Sequence, residues 1–322
     1  MAKRPSVDEE LAALDALPAE RDAQVAALRK ALASKQHRVV AKAAAECADA
    51  LHYDLVPALI AAYPRFLDKP VKLDPACYAK KAIVRALVAL DCDDVELYLA
   101  GLRYRQLEPV WGGTQDTAVD VRCNCAMGLV SSGYSRALVE VAELLNDADP
   151  AARCGAARAV ACGNPREAEL LLRAKVVCGD AEPAVLGECF SGLLTAAPEE
   201  SIPFVARYLE DRDEAVCELA ALALGESRRP AALPPLQAAW QRVLPTPSFR
   251  RALARAAAAH RSDAAYDWLL TLVAEARAAT ATDIIEALAA YKHNTKLAQR
   301  VQAVLADRGD QALLDRFTAV WQ

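Results

Sequence analysis

A nine-residue pattern recurs along this chain, and its spacing constrains the fold more than any other feature. It begins with an apolar residue, often followed by a basic one, and carries two small residues at its fifth and sixth positions. The copies begin at Val121, Ala152, Val185, Val216 and Phe249, at steps of 31, 33, 31 and 33 residues. A helix pair of about this length is too small to bury its own apolar face, so successive pairs must stack on one another.

The recurrence predicts an all-α fold: an α-solenoid, a right-handed superhelix of about eight antiparallel helix pairs. In each pair the second helix, here called the B helix, carries the pattern, and the first is the A helix. No Gly/Ser-rich linker divides the chain. We therefore predict a single domain over residues 1–322, with an N-terminal cap at residues 1–20 and a C-terminal cap at residues 295–322. Proline, whose missing N–H is harmless in the first turn, stands at several expected helix starts. These are Pro150, Pro165, Pro183, Pro198 and Pro247.

Composition narrows the class of protein. The chain is 54% hydrophobic but only 6% aromatic, because much of its apolar content is alanine, the strongest helix former. Its net charge of −5 provides no global positive field, so a nucleic-acid partner is disfavoured. The first twenty residues lack the apolar core of a signal peptide, and no apolar run is long enough to span a membrane. We therefore expect a cytoplasmic protein with reduced thiols and no membrane association.

The repeated core resembles that of a known family. Val121-Arg122 with Cys125-Ala126, and Ala152-Arg153 with Ala156-Ala157, fit the V-R-x-x-A-A-x-A-L core of helix B in the short-repeat, PBS-lyase-HEAT-like class of HEAT-like repeat proteins. The resemblance implies an α-solenoid that usually binds proteins. Some relatives are enzymes, including chromophore lyases and DNA glycosylases of related helical-repeat build, so the resemblance does not exclude catalysis.

The repeat register accounts for several of the ten cysteines. Cys125 and Cys189 occupy the fifth position, where a small side chain must face a neighbouring helix and a cysteine acts as a small hydrophobe. Cys123 and Cys125 are two residues apart on a helix and point about 200° from each other, so they cannot bind one ion together. We therefore expect no metal and no cofactor. Nucleophilic or redox use of Cys123 and Cys154 stays open, although no histidine accompanies them in sequence.

One interval departs from the period. The B helix that enters the register at Ala79 precedes the next copy at Val121 by 42 residues, roughly ten more than the other steps. The excess predicts an inserted loop at residues 107–117, between a helix at Asp93–Leu107 and a helix at Asp116–Val130. Insertions in repeat proteins map to loops on one edge and often to the binding face.

The inserted loop and the residues just before it have the composition of a binding hot spot. Tryptophan, tyrosine and arginine bury a large area while keeping a polar group, and paired glycines let a ligand approach the backbone. The candidate partner-binding residues here are Arg103, Tyr104, Arg105, Trp111, Gly112 and Gly113. A structural alternative stays open, in which Trp111 fills a gap where two repeats splay apart.

A second candidate surface follows the B helices. Their third and seventh positions share one helix face and escape the small-residue rule, so we expect them to line the concave side of the solenoid. The candidates are Lys81, Arg85, Met127 and Arg158. This mixture of basic and apolar residues suits an acidic or amphipathic peptide better than a nucleic-acid duplex. The alternative is an ordinary solvated face.

The sequence carries none of the common motifs for phosphate binding, serine nucleophiles or zinc hydrolysis, and we assign no catalytic residue. It favours a non-enzymatic, monomeric scaffold that binds a protein or peptide on its concave face and inserted loop. Two alternatives stay open. A nucleic-acid-binding or base-repair protein of helical-repeat type would need a continuous basic groove facing a carboxylate, with Asp116 or Asp120 the nearest candidates. A lyase-like protein that binds a small molecule would need a pocket beneath Trp111.

Overall fold

The computed structural model describes residues 6–242 and 246–321, which form twenty α-helices and one β-hairpin. The chain comprises two compact units, one ending at Glu167 and one beginning at Ala168. The first unit contains α1 (Val7–Asp15), α2 (Arg21–Leu32), α3 (His37–Asp49), α4 (Val56–Ala62), α5 (Pro70–Leu73), α6 (Tyr78–Ala89), α7 (Val95–Leu102), β1 (Leu107–Val110), β2 (Gly113–Asp116), α8 (Val119–Ser131), α9 (Ala137–Leu144) and α10 (Pro150–Ala161).

The second unit begins within α11 (Pro165–Cys178). It continues with α12 (Pro183–Ala196), α13 (Pro198–Ala206), α14 (Glu214–Ser227), α15 (Leu233–Gln241), α16 (Pro247–His260), α17 (Asp263–Glu275), α18 (Ala278–Ala289), α19 (Thr295–Arg308) and α20 (Gln311–Trp321). Short 3₁₀ segments extend or precede some helices, at Tyr53–Leu55, Tyr63–Phe66, Pro75–Cys77, Arg207–Glu210 and Pro230–Ala232.

The predicted all-α repeat fold is confirmed. The B helices pack side by side within each unit, α3 on α6, α6 on α8 and α8 on α10 in the first, and α12 on α14, α14 on α16 and α16 on α18 in the second. Each B helix follows its A helix in the chain, which makes eight helix pairs from α2 to α18. The prediction of a single domain over residues 1–322 stays a prediction. No helix of the described residues is long and apolar enough to cross a membrane.

Helix starts follow the local sequence signals. The five prolines named above are the first residues of α10, α11, α12, α13 and α16. In the predicted N-terminal cap, Ser6 precedes α1, and its hydroxyl accepts a hydrogen bond from the Glu9 N–H while the Glu9 carboxylate accepts one from the Ser6 N–H. This reciprocal capping box satisfies two N–H groups that the first helical turn leaves without partners. The C-terminal cap predicted at residues 295–322 is occupied by α19 and α20.

The small residues of the pattern lie at tight helix contacts, as the register predicts. Cys125 and Cys189 are fully buried. In the third pair, a Cβ placed on Gly101 of α7 would overlap the Cys125 Sγ, and a Cβ on Gly128 of α8 would overlap the Tyr98 ring. The helices of this pair therefore approach closely because glycine and cysteine face larger neighbours.

The inserted segment is a β-hairpin rather than an irregular loop. Strand β1 pairs antiparallel with β2, with Leu107 opposite Asp116 and Val110 opposite Gly113. The flanking helices are correspondingly shorter than predicted, since α7 ends at Leu102 and α8 begins at Val119. At the two-residue turn, Gly112 has a φ of +88°, a left-handed conformation that glycine adopts without steric cost.

Candidate functional site

A groove of about 630 Å³ lies across three B helices of the first unit, α3, α6 and α8. Its floor on α3 is a row of small residues, Ala41, Ala45 and Ala48, which recur at helical spacing on one face. Helix α6 contributes Tyr78, Lys81, Ala82, Arg85 and Ala86; α8 contributes Asp120 and Asn124; and Asp49 ends α3. The groove exists because α3 carries alanines where α6 carries long side chains.

Tyr78 forms a wall of this groove. Its side chain is half-exposed. The ring stacks on His37, the first residue of α3, with centroids 6.1 Å apart. The Lys81 ammonium lies 5.0 Å from the centroid of the same ring, within the range of a cation–π contact. An aromatic ring held between two helices and facing solvent is a common anchor in protein recognition.

The two cations of the groove differ in their surroundings. The Lys81 Nζ lies 3.6 Å from the Asp120 carboxylate, so its charge has a partner within the chain. Arg85 is exposed, and no described residue forms an ion pair or hydrogen bond with its guanidinium. Arg85 is therefore the group most available to a negatively charged ligand.

A second cavity of about 610 Å³ adjoins the groove and shares Ala41 and Tyr78 with it. It is also lined by Arg38, Lys42, Leu11 and Asp15. Lys42 forms an ion pair with Asp15 of α1. Arg38 is exposed, and, like Arg85, it has no acidic partner among the described residues. Each cavity thus holds one compensated lysine and one uncompensated arginine.

A buried polar network lies beneath the hairpin. The fully buried Lys80 Nζ donates to the Asp74 carboxylate at 2.9 Å and to the Phe66 carbonyl at 3.1 Å. The Asp74 carboxylate also accepts from the backbone N–H of Ala79 and Lys80. The Gln106 side-chain amide donates to the Asp74 carbonyl and thereby connects this pair to the base of the hairpin. A buried ion pair with its hydrogen bonds satisfied holds its parts in a unique arrangement, which is a structural role.

Glu108 anchors β1 to this network. One oxygen of its carboxylate accepts hydrogen bonds from the Ala76 N–H at 2.6 Å, the Thr117 hydroxyl at 2.7 Å and the Gln106 amide at 2.7 Å. Burial alone would raise the pKa of Glu108, but these hydrogen bonds hold it below its usual value. The bond to Ala76 also fixes a strained turn, since both Ala76 and Cys77 have positive φ angles.

Arg122, the basic residue of the pattern copy that begins at Val121, is almost completely buried. Its guanidinium donates to the Tyr104 carbonyl at 3.0 Å and to Asp116 at 2.7 Å, and it lies 3.3 Å from Asp147. Burial alone would raise the pKa of Asp116, yet hydrogen bonds from two backbone N–H groups and Arg122 lower it. Arg122 therefore links the hairpin to the loop after α9.

The tip of the hairpin is open on all sides. Trp111 is fully exposed, and Leu107 and Val110 are also largely exposed. A Cβ placed on Gly112 or Gly113 would meet no heavy atom within 4 Å. The structural alternative, in which Trp111 fills a gap between repeats, is therefore wrong. No described residue packs against these two glycines, and the lyase-like alternative, which expects a pocket beneath Trp111, stays open.

The structure distributes the predicted site residues over three places. Lys81 and Arg85 line the groove, and Trp111, Gly112 and Gly113 form the hairpin tip. Met127 and Arg158 lie on α8 and α10, where Met127 is partly buried and Arg158 is exposed. Arg103, Tyr104 and Arg105 lie at the base of the hairpin.

The three residues at the hairpin base already have partners within the chain. Arg103 forms an ion pair with Glu140, and Arg105 bridges Asp116 and Asp147 at 3.2 and 2.8 Å. The Tyr104 hydroxyl donates to the Gln106 side chain. The predicted partner-binding residues thus fall into separate sets. Lys81 and Arg85 line the groove, whereas Arg103, Tyr104 and Arg105 hold the base of the hairpin.

Sequence reasoning missed two residues, Arg38 and Lys42, that line the cavity beside the groove. Arg38 and Lys42 were not identified because α3 departs from the pattern, with Ala41 and Ala45 at its third and seventh positions. The available sequence signal was the spacing of Arg38 and Lys42, which are four residues apart and therefore share one face of the helix. The predicted exposure of the third position does not hold in every B helix, since Gly187 at that position of α12 is buried and packs against Leu219.

The residues considered for catalytic or metal-binding roles lie in different surroundings. Within residues 6–242 and 246–321, no group of three or more His, Cys, Asp and Glu side chains could hold a metal ion. Burial raises the pKa of the Cys123 thiol to about 11, which disfavours the thiolate required of a nucleophile. Asp116 is engaged by Arg122, whereas Asp120 lines the groove beside Lys81.

Comparison with known proteins gives structural similarity only. No family model matches the chain, and no curated protein matches it in sequence. Similar solved structures include human deoxyhypusine hydroxylase in complex with glycerol, with 18% identity over 80% of this chain and 91% of that one and a TM-score of 0.32. The CpcE–CpcF complex of phycocyanin lyase from Nostoc has 18% identity over 74% and 89%, with a TM-score of 0.35. An engineered protein has 18% identity over 99% and 96%, with a TM-score of 0.36.

Proposed function

We propose that this chain is a non-enzymatic interaction scaffold that holds a peptide segment of a partner protein in the groove across α3, α6 and α8. The observation that carries the proposal is the groove itself, where an alanine floor is bordered by the half-exposed Tyr78 and the uncompensated Arg85. An apolar floor contributes burial, and the cation at its edge selects a ligand of opposite charge.

The charge pattern favours a peptide over a nucleic acid. Asp49 and Asp120 line the groove together with Lys81 and Arg85, so its walls carry both carboxylates and cations. A strand with a phosphate at every nucleotide would meet these carboxylates. An amphipathic peptide can instead place apolar residues over the alanines and an isolated acid near Arg85.

The hairpin tip supplies a second proposed contact. Residues Pro109–Gln115 carry no charge, and the base of the hairpin is held by Glu108 and Asp116. A rigid arm that presents an exposed tryptophan loses little conformational entropy when it enters an apolar cleft of a partner. We further propose that the chain belongs to the HEAT-like class, acts as a monomer and works in the cytoplasm.

The experiment that tests the proposal is selection of a random peptide library against the parent protein and two variants. Arg85→Glu reverses the charge in the groove. The matched control is Arg255→Glu, which changes an exposed arginine at the same seventh position of the pattern in α16 of the second unit. We expect the parent and Arg255→Glu to enrich the same acidic, amphipathic peptides, and Arg85→Glu to lose them. Enrichment that is equal for all three proteins, or absent for the parent, would contradict the proposal.

A further inference from the structure

Two arginines that line adjoining cavities of the first unit lack acidic partners among the described residues, while the lysines beside them have such partners. Arg38 lines the cavity beside α1, and Arg85 lines the groove across α3, α6 and α8. The two cavities share Ala41 and Tyr78, so they form one continuous surface. Lys42 and Lys81, which line the same surface, are paired with Asp15 and Asp120. The surface therefore offers two separate positive positions rather than a uniform basic field.

Helices α3 and α6 run parallel, which sets the direction of the surface. Their first residues, His37 and Tyr78, stack on each other, and the helices pack along their length. Ala48 and Asp49 near the end of α3 line the same groove as Arg85 and Ala86 of α6. The alanine row on α3 follows the helix axis, because its members recur at spacings of three and four residues. The alanine floor of the groove thus follows the seam between α3 and α6, while Asp120 and Asn124 of α8 also line the groove.

The register of the two helices gives the spacing of the arginines along this seam. The two small residues of the pattern, Ala43 and Ala44 in α3, correspond to Ile83 and Val84 in α6. Arg38 then corresponds to Tyr78, and Arg85 lies seven residues further along the axis. At 1.5 Å per residue, the two positions are separated by roughly 10 Å along the seam. Arg85 of α6 lines the groove itself, and Arg38 of α3 lines the cavity that adjoins it.

We infer that the continuous surface of the groove and the adjoining cavity recognises an α-helix carrying acidic residues at positions i and i+7, with small or apolar residues between them at i+3 and i+4. Two residues seven apart on a helix lie on the same face and roughly 10.5 Å apart, which matches the spacing along the seam. The intervening residues face the alanine floor. One acid binds Arg38 and the other binds Arg85. This inference rests on the proposed function and specifies the partner that the same groove takes.

The ion pairs of Lys42 and Lys81 increase the specificity for the spacing of the two acids. A helix with acids at every turn would place additional carboxylates next to Asp15 and Asp120, which already occupy Lys42 and Lys81. Like charges at these positions oppose binding. The groove therefore selects for the spacing of two acids and not for total negative charge.

The test uses synthetic helical peptides of about eighteen residues, titrated into the full-length protein with fluorescence anisotropy as the readout. The two glutamate peptides have the same composition. In one peptide, glutamates stand at i and i+7; in the other, the second glutamate is moved to i+4. A third peptide has lysine at i and i+7. Circular dichroism first establishes that the three peptides are equally helical.

We expect the i, i+7 peptide to bind the parent about threefold to fivefold more tightly than the i, i+4 isomer, the effect of one ion pair at a solvated rim. Arg38→Ala and Arg85→Ala should each remove that advantage, while Arg255→Ala, the matched control, should not. With Arg85→Glu, lysine at one of the two peptide positions, but not the other, should restore binding and thereby give the orientation of the peptide.

The outcomes separate this inference from the proposed function. If both isomers bind the parent equally and both weaken with Arg85→Glu, the groove binds acidic helices and the inferred spacing is wrong. If none of the peptides binds, or if the lysine peptide binds as well as the others, both the inference and the proposed function fail. Folding of every variant is checked by its thermal midpoint, and all the substituted arginines are exposed.

Discussion

Glu108 is the residue on which the hairpin most depends. Its carboxylate accepts hydrogen bonds from the turn before α6, from the residue that follows β2 and from the residue before β1. These donors come from three parts of the chain, so one ionised oxygen joins segments that are far apart in sequence. Its lowered pKa means that folding and deprotonation of Glu108 favour each other.

Replacing Glu108 with glutamine should change how stability depends on pH. The folded-state pKa of Glu108 lies below the reference value of 4.5, so its contribution is fully present above that pH and is lost as the pH falls through the folded-state pKa. Glutamine does not titrate in this range. We expect the free energy of unfolding, measured in urea, to fall less between pH 7 and pH 3 for Glu108→Gln than for the parent.

The matched control for this prediction is Glu96→Gln, which removes an exposed carboxylate from α7. Its stability should follow the pH dependence of the parent. Parallel curves for the parent and Glu108→Gln would show that the hydrogen bonds of Glu108 do not favour its ionised form.

Individual contacts were the least predictable from the sequence. Arg103 and Arg105 have the residue type of a binding hot spot, and nothing in their local sequence shows that they are already paired. Their partners, Glu140 and Asp147, lie 37 and 42 residues later in the chain. Only the stacking of one helix pair on the next brings them together. The absence of an acidic partner for Arg85 likewise depends on how the helix pairs stack, because no acid of α8 forms an ion pair with it.

At the scale of elements, the residues predicted to form an inserted loop form the hairpin β1–β2, a conformation that the sequence did not predict. The break in the period located it at residues 107–117. Pro109 lies within β1, although proline cannot donate a ladder hydrogen bond. A two-stranded hairpin tolerates it, since the N–H at this position faces away from the partner strand: the neighbouring residues 108 and 110 make the paired hydrogen bonds in this register.

The turn of the hairpin leads to an element-scale prediction. Gly112→Ala places a Cβ at a φ of +88°, which should cost about 1–2 kcal/mol although the surrounding space is open. Gly113→Ala is the matched control, because its Cβ also meets no atom and its φ is not positive. We expect amide hydrogen exchange across residues 107–116 to accelerate in the first variant only. Equal exchange in the two variants would mean that the turn is not held in this conformation.

At the scale of the whole molecule, the eight helix pairs could be predicted because each pair must bury an apolar face against its neighbours. Small residues recur where helices touch, and this recurrence is visible without any contact being known, as at Cys125 and Ala220. The division at Glu167 could not be predicted. The pattern keeps its step of 31 to 33 residues on both sides of that position, so periodicity carries no signal for where a stack divides into compact units.

The repeat organisation predicts that an overpacked core residue destabilises mainly the unit that contains it. Cys125→Leu and Ala220→Leu enlarge fully buried positions of α8 and α14, one in each unit, and each should cost about 1–3 kcal/mol. Because repeat stability is a sum of neighbouring contacts, hydrogen exchange should accelerate mainly in the unit that carries the substitution. Cys162→Leu and Ala215→Leu, at exposed positions of the same two units, are the controls and should leave exchange unchanged. If either buried substitution accelerates exchange equally along the whole chain, the units unfold together. If both match their controls, the register of the repeat is wrong.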